Sequence, residues 1–290
     1  MILNAMVRLR PMLPADVDAS AELILRHDWG VRREFLAFVA GQPACSPIVA
    51  EADGEIIGTG IGTANGSVGW IGTIFVAAAW RGQGIGRAIT EEVIARLEST
   101  GVRTLILTAT ADGRRLYSKM GFEVQARYQV LQAPGLPARA RAAATSVEAD
   151  RGAVRPYRPA DLDAMARLDR AGTGEDRRHI LGAFANPDSA LVLSRTTGSI
   201  DAFVVRAPWG GGATIARSID GAKAIIDERR RRATPSGKVL VGILRENEAG
   251  IEALASWGFG PSWSAPRMVR GDAMTWHPDW VWGQFNHAIG

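Results

Sequence analysis

The stretch Arg81-Gly82-Gln83-Gly84-Ile85-Gly86-Arg87 is the part of this sequence best suited to chemistry. It follows an apolar run, Trp70 to Val76, and leads into a segment with helical spacing. A glycine-rich turn at a helix start leaves backbone N–H groups unpaired, and the helix dipole adds partial positive charge there. Without Cβ atoms at Gly82, Gly84 and Gly86, a pyrophosphate can come close to the backbone. Arg81 and Arg87 flank the turn with further positive charge. The spacing is not Gly-x-Gly-x-x-Gly, because Arg87 stands three residues after Gly84, and no Gly-Lys-Ser/Thr follows. A merely flexible turn is the alternative, and the strand–turn–helix setting speaks against it.

Other reactive residues are sparse. Cys45 is the only cysteine, which excludes an internal disulfide and a zinc cluster of several thiolates. His179 is isolated, and His277 and His287 lack metal-ligand spacing, so no metal is expected. The net charge is +4, carried almost wholly by arginine; the lysines are Lys119, Lys223 and Lys238. Arginine raises the charge without creating a basic face. The run Arg229–Arg232 reads as a solvated helix end, since no aromatics interleave to stack bases. No apolar run approaches the roughly 20 residues that span a bilayer. The opening MILNAMVRLRPMLPAD has no apolar core before a small-residue cleavage site. The expectation is a reduced, cytoplasmic protein that binds neither membrane nor nucleic acid.

The elements that must position the turn follow from periodicity. Pro14-Ala15-Asp16 opens a helix, and Val17, Ala21, Leu23, Ile24 and Leu25 give it an apolar face. A second helix is predicted near Arg32 to Ala40. Residues 47–52 and 55–61 read as strands joined at Asp53-Gly54, and 70–76 as a third. Helix 84–99 carries Ile85, Ile89, Val93 and Leu97 at four-residue spacing and stops at Gly101. A buried strand over 104–109, a short helix over 114–120 and a strand from Gly121 complete the series.

The chain then repeats itself. RPMLPADVDA at 10–19 returns as RPYRPADLDA at 155–164, and LYSKMGF at 116–122 is echoed by ALASWGF at 253–259. Two echoes in one order indicate a duplicated domain. A length of 290 residues with 47% hydrophobic residues suits two packed domains. The predicted organisation is a first domain over 1–131, an Ala/Pro/Arg-rich connector over 132–153 and a second domain over 154–290.

The strand ending at Val76, followed by WRGQGIGRAIT, a further strand and LYSKMGF, resembles the GNAT superfamily of acetyl-CoA-dependent N-acetyltransferases. The resemblance covers residues 8 to about 130, and the tail WHPDWVWGQFNHAIG resembles the end of tandem GNAT proteins. It implies an α/β (α+β) fold of two tandem GNAT-like domains, each a mixed, mostly antiparallel sheet flanked by helices. It further implies an enzyme that passes an acetyl group from acetyl-CoA directly to a primary amine. Whether the donor is acetyl or a longer acyl-CoA stays open, as does the small-molecule or peptide acceptor. By the same resemblance, Ile74, Phe75 and Val76 would present backbone to the pantetheine arm and hold the oxyanion. Arg81, Gly82, Gln83, Gly84, Ile85, Gly86 and Arg87 would hold the pyrophosphate. Tyr117 stands where the family has a tyrosine that protonates the departing thiolate; an ordinary packed aromatic is the alternative. Thr110 replaces an asparagine common in the family. His27, Asp28 and Trp29 lie where such enzymes contact acceptors, and the general base is sought among His27, Asp28, Glu51 or water. The alternative function is a non-catalytic acyl-CoA-binding or sensing module.

The second copy has lost this machinery. Gly210-Gly211-Gly212 precede a strand and do not open a helix, Asp220 sits at the helix start, and Leu254 stands at the tyrosine position. Three roles remain for this copy: walling the acceptor pocket, supporting the first domain, or forming a homodimer. Trp276, Trp280, Trp282 and Phe285 in the tail serve either core packing or a substrate wall.

Overall fold

The computed structural model describes residues 7–136, 152–195 and 198–290. Most of the predicted connector, 137–151, lies outside the described residues.

The two copies follow one order of elements. The first runs β1 (Arg8–Pro11), α1 (Val17–Leu25), α2 (Arg33–Gly41), β2 (Cys45–Ala52), β3 (Glu55–Asn65), β4 (Val68–Val76), α3 (Ile85–Ser99), β5 (Thr104–Thr108), α4 (Ala111–Lys119) and β6 (Glu123–Pro134). The second runs β7 (Ala153–Pro156), α5 (Leu162–Thr173), α6 (Arg178–Phe184), β8 (Ala190–Ser194), β9 (Ile200–Arg206), β10 (Gly212–Ala216), α7 (Ile219–Arg232), β11 (Lys238–Leu244), α8 (Glu248–Ser256) and β12 (Gly260–Gly271). A last strand, β13 (Val281–Gly283), has no counterpart in the first copy.

The echoes have physical causes. Arg10 grips Asp16 through two N–H···O bonds of 2.6 and 3.0 Å, and Arg155 grips Asp161 at 2.7 and 2.8 Å. Each aspartate also accepts a backbone N–H at 2.7 Å, from Leu13 or Arg158. The Arg-Pro-x-x-Pro-Ala-Asp pattern is therefore a clamp that fixes the first strand to the first helix. The Gly-Phe echo is a helix stop: Gly121 and Gly258 take φ of +83° and +84°. Phe122 and Phe259 then return their N–H to Tyr117 and Leu254, both at 3.0 Å.

Two compact units emerge, and each draws on both copies. Unit 1 holds Met1–Glu123, Met268–Asp272 and His287–Gly290. Its strands run β1-β2-β3-β4-β5, followed by the end of β12. All registered pairs among β1 to β5 are antiparallel except the parallel β4–β5 pair. Strand β3 shows α3 a row of glycines, and a methyl group on Gly62 would lie 2.9 Å from Val93. The row lets α3 sit close, burying Ile85, Ile89, Val93 and Leu97 as the spacing predicts. That seat fixes the helix whose first turn carries the glycine motif.

Unit 2 holds Val124–Arg267 and Ala273–Asn286. It contains a five-stranded sheet, β13-β10-β9-β8-β7, and the neighbouring strands β12-β6-β11. Strand β6 pairs antiparallel with β11 from Tyr128↔Leu244 to Pro134↔Lys238. Trp282 and Phe285 from the tail are fully buried in this unit, in line with core packing. The Arg229–Arg232 run is the end of α7, with Arg229, Arg230 and Arg231 half-buried and Arg232 exposed as expected. Arg229 donates to the Leu240 carbonyl, Arg230 to those of Pro134 and Trp257, and Arg231 and Arg232 pair with Glu228.

Candidate functional site

Helix α3 starts on Gly84, whose φ is +82°, and no side chain caps its amides. Gly82 is also left-handed, at +77°. The first helical bond is Ala88 N–H to the Gly84 carbonyl, at 3.0 Å. The amides at the start of α3 precede it, and residues 81–84 are exposed. Arg81 folds back, its Nε donating to the Val76 carbonyl at 3.0 Å, which joins the turn to the end of β4. Arg87 pairs with Glu91 on the helix surface. The arrangement is an open, electropositive nest of backbone N–H groups.

The edge of β4 beside this turn is open as well. Its parallel pairing with β5 ends at Ile71↔Leu107, whereas pairing with β3 continues to Val76. The two strands part at Gly72 and Thr73. Thr73 takes a φ of +51°, rare for a β-branched residue, and the β3–β4 register shifts here. Phe75 and Val76 therefore pair with β3 alone, and Ile74 falls in the register shift. Such an edge can accept an extended, amide-bearing ligand.

Tyr117 lies on α4, its ring edge-on to Phe122 at 6.0 Å. Burial pushes its phenol up to about 12. Thr110, at the asparagine position, caps α4 by accepting the Gly113 N–H at 3.1 Å.

The sequence candidates for acceptor contact come together on the other face of β4. Gly69 faces α3, since a methyl group there would meet Val102 and Leu97. By strand alternation Trp70 and Gly72 face away from it. On that side His27 and Trp29 pack edge-on against Phe75, at 5.3 and 5.4 Å. Both His27 nitrogens are engaged: Nδ1 with the Leu23 carbonyl at 2.9 Å, and Nε2 with the Ala78 N–H at 3.5 Å. Asp28 is exposed, with φ of +61°. Glu51 is held by Arg10 at 2.7 Å, as part of the β1–β2 clamp.

His287 also lies on this face of β4, and no motif in the sequence marks it. The last four residues belong to unit 1, where a methyl group on Gly72 would lie 2.6 Å from the His287 carbonyl oxygen. The His287 ring meets Thr108 Oγ1 at 3.2 Å, at the end of β5. Asn65 donates to the Ile289 carbonyl at 3.1 Å and pins the tail. His287 thus sits where β4 and β5 part. Burial, and then the nearby Arg32 cation, push its pKa down to about 4, so the imidazole is neutral at physiological pH. No local spacing signals this role, because the tail reaches the site only through the fold.

The second copy has neither opening. Helix α7 starts on Ser218, whose hydroxyl accepts the Gly221 N–H at 3.1 Å. The edge of β10 is taken by β13, with Thr214↔Gly283 and Ile215↔Val281 paired. Leu254 is wholly buried at the tyrosine position. Asn247 caps α8, accepting the Gly250 N–H at 2.9 Å.

Among the described residues, no group of three or more His, Cys, Asp or Glu could hold a metal. No described helix is long and apolar enough to cross a membrane.

Comparison with solved structures places the whole chain in a known fold. A presumed acetyltransferase from Pyrococcus horikoshii superposes with a TM-score of 0.80 at 20% identity, covering 100% of this chain and 98% of that one. A GCN5-related N-acetyltransferase from Sphaerobacter thermophilus gives 0.62 at 16% identity, covering 93% and 98%. A tandem GNAT protein from the clavulanic acid biosynthesis pathway gives 0.58 at 14%, covering 92% and 98%. Among curated proteins no sequence matches. Residues 11–122 match the acetyltransferase (GNAT) family, and residues 165–283 match an acetyltransferase (GNAT) domain. The chain belongs to the GNAT acetyltransferase family, with two such domains in tandem.

Proposed function

We propose that the first copy is an N-acetyltransferase that moves an acetyl group from acetyl-CoA directly to a primary amine. The observation that carries this reading is the uncapped start of α3 beside the open edge of β4. The pyrophosphate takes the amides of Gly82 to Arg87, with Arg81 and Arg87 adding charge. The pantetheine arm lies along Ile74, Phe75 and Val76, where a main-chain N–H polarises the thioester carbonyl and holds its oxyanion.

The amine nitrogen attacks the carbonyl carbon. As the C–N bond forms, the C–S bond breaks and the thiolate takes the Tyr117 proton. A phenol near 12 stays protonated at neutral pH and can still donate to a developing thiolate. The proton shed by the amine passes to water. His27 has both nitrogens engaged and serves to hold the acceptor loop against Phe75. Cys45 is buried, its thiol pushed up to about 11 by desolvation, which does not favour an acyl-cysteine route.

The test is acetyl-CoA consumption with matching CoA release across a panel of amines. The wild type is expected to acetylate at least one amine. Failure of the wild type to bind acetyl-CoA would overturn the reading.

A further inference from the structure

The two copies run in register through their first helices. Asp18 pairs with Arg33 and Asp163 with Arg178, at 2.6 and 2.7 Å, fifteen residues on in each case. In that register Arg32 corresponds to Arg177, and Ile24 to Asp169. Arg177 is buried and grips Asp169 through bonds of 3.0 and 2.6 Å. The first copy keeps the arginine but not the acid, because Ile24 is a fully buried core residue. Arg32 is partly buried, and no side chain among the described residues pairs with it. A guanidinium drawn out of water without a counter-ion is unfavourable until an anion arrives.

The location of Arg32 suggests which anion. It precedes α2 by one position and follows Trp29, which packs on Phe75, by three. Its charge reaches His287, whose ring meets Thr108 where β4 and β5 part. These residues all belong to unit 1 and to the face of β4 away from α3. We infer that Arg32 binds the carboxylate of the acceptor, so that the acceptor is an amino-acid-type amine. The external carboxylate supplies to Arg32 the counter-charge that Asp169 supplies to Arg177 in the second copy. A planar guanidinium fork matches a carboxylate through two parallel bonds, which also orients the amine beside it.

This inference rests on the first copy being an N-acetyltransferase. The experiment presents free amino acids, their amides and their decarboxylated amines to the full chain with acetyl-CoA. Dipeptides, whose carboxylate lies one residue further from the amine, separate an amino acid from a peptide acceptor. At least one free acid is expected to exceed its amide and its amine by roughly 10- to 100-fold in kcat/KM. Arg32→Met should remove that preference mainly through KM, with acetyl-CoA affinity and the thermal midpoint kept. Ile24→Asp, which supplies the internal carboxylate of the second copy, should remove it too. Acetyl-CoA binding without any preference for free acids overturns the inference, as does a preference that survives in Arg32→Met. A wild type that does not bind acetyl-CoA overturns the acetyltransferase reading instead.

Discussion

Helices α3 and α7 begin at the same point in two copies of one fold, yet they treat their first amides differently. α3 starts on a left-handed glycine with no side chain over it, whereas α7 starts on Ser218, whose hydroxyl accepts the Gly221 N–H. The neighbouring strands differ in the same sense: β4 leaves its edge free beyond Ile71, and β10 has β13 paired to it. In the second copy the chain's own groups occupy the positions a ligand would take. The Arg–Asp pair repeats the lesson, since Arg177 has an internal acid and Arg32 has none. A binding site of this kind is a set of backbone and side-chain groups that the fold leaves unsatisfied, and it disappears once the chain satisfies them itself.

Substitutions distinguish the two copies. The largest effect is expected at the tyrosine position. Tyr117→Phe keeps the ring and its packing but removes the proton donor, so kcat should fall roughly 100- to 10,000-fold. Acetyl-CoA affinity, measured by calorimetry, should change by less than about threefold, because the phenol acts on the leaving thiolate. The reverse change, Leu254→Tyr, should create no second activity, since β13 still covers the β10 edge. Full turnover in Tyr117→Phe would give the thiolate proton to another group.

A smaller effect concerns stability. Asp169→Ala leaves the fully buried Arg177 without its bidentate partner and should cost about 3–5 kcal/mol, read from the urea midpoint. The first copy contains no such pair, so Arg32→Met should leave the midpoint near that of the wild type. A loss under about 1 kcal/mol in Asp169→Ala would show that the buried pair is dispensable.

The smallest effect is a pH dependence. His287 titrates near 4 in the folded protein and near 6.5 when unfolded, so the unfolded chain binds more protons between these values. Stability must therefore fall as pH drops from about 6.5 towards 4, by about 1–2 kcal/mol at pH 5 from this group. His179, also lowered by burial, acts in the same direction. His287→Gln should flatten only part of the slope. The Asp16 and Asp161 clamps, whose arginine bonds lower their pKa values, stabilise above about pH 4 and fail only below it. An unchanged slope in His287→Gln would place that ring in solvent.

Much of this was legible in the residues themselves. The glycine turn, the seat of α3 and the Gly-Phe helix stop are local patterns, and their causes lie within a few residues of one another. The duplication was legible because a clamp such as Arg10–Asp16 needs fixed spacing. Strands β1 and β7 gave no signal: each has four residues, including arginine and a final proline, and lacks alternation. Strand β13 was hidden in an aromatic tail whose composition suits any buried segment. His287 and Arg32 were invisible for a deeper reason. Their roles depend on which distant residues the fold brings beside them, and on an acid absent from position 24, which shows only once the copies are aligned in space.

On the proposed function, one copy is open to acetyl-CoA and the other is closed by its own groups. Calorimetric titration of acetyl-CoA into the full chain tests this most directly. The predicted stoichiometry is one per chain, and Gly84→Glu, which sets a carboxylate and a strained left-handed residue in the α3 turn, should reduce it to none while the thermal midpoint stays within a few degrees. Two bound molecules per chain, or one that survives Gly84→Glu, would contradict it.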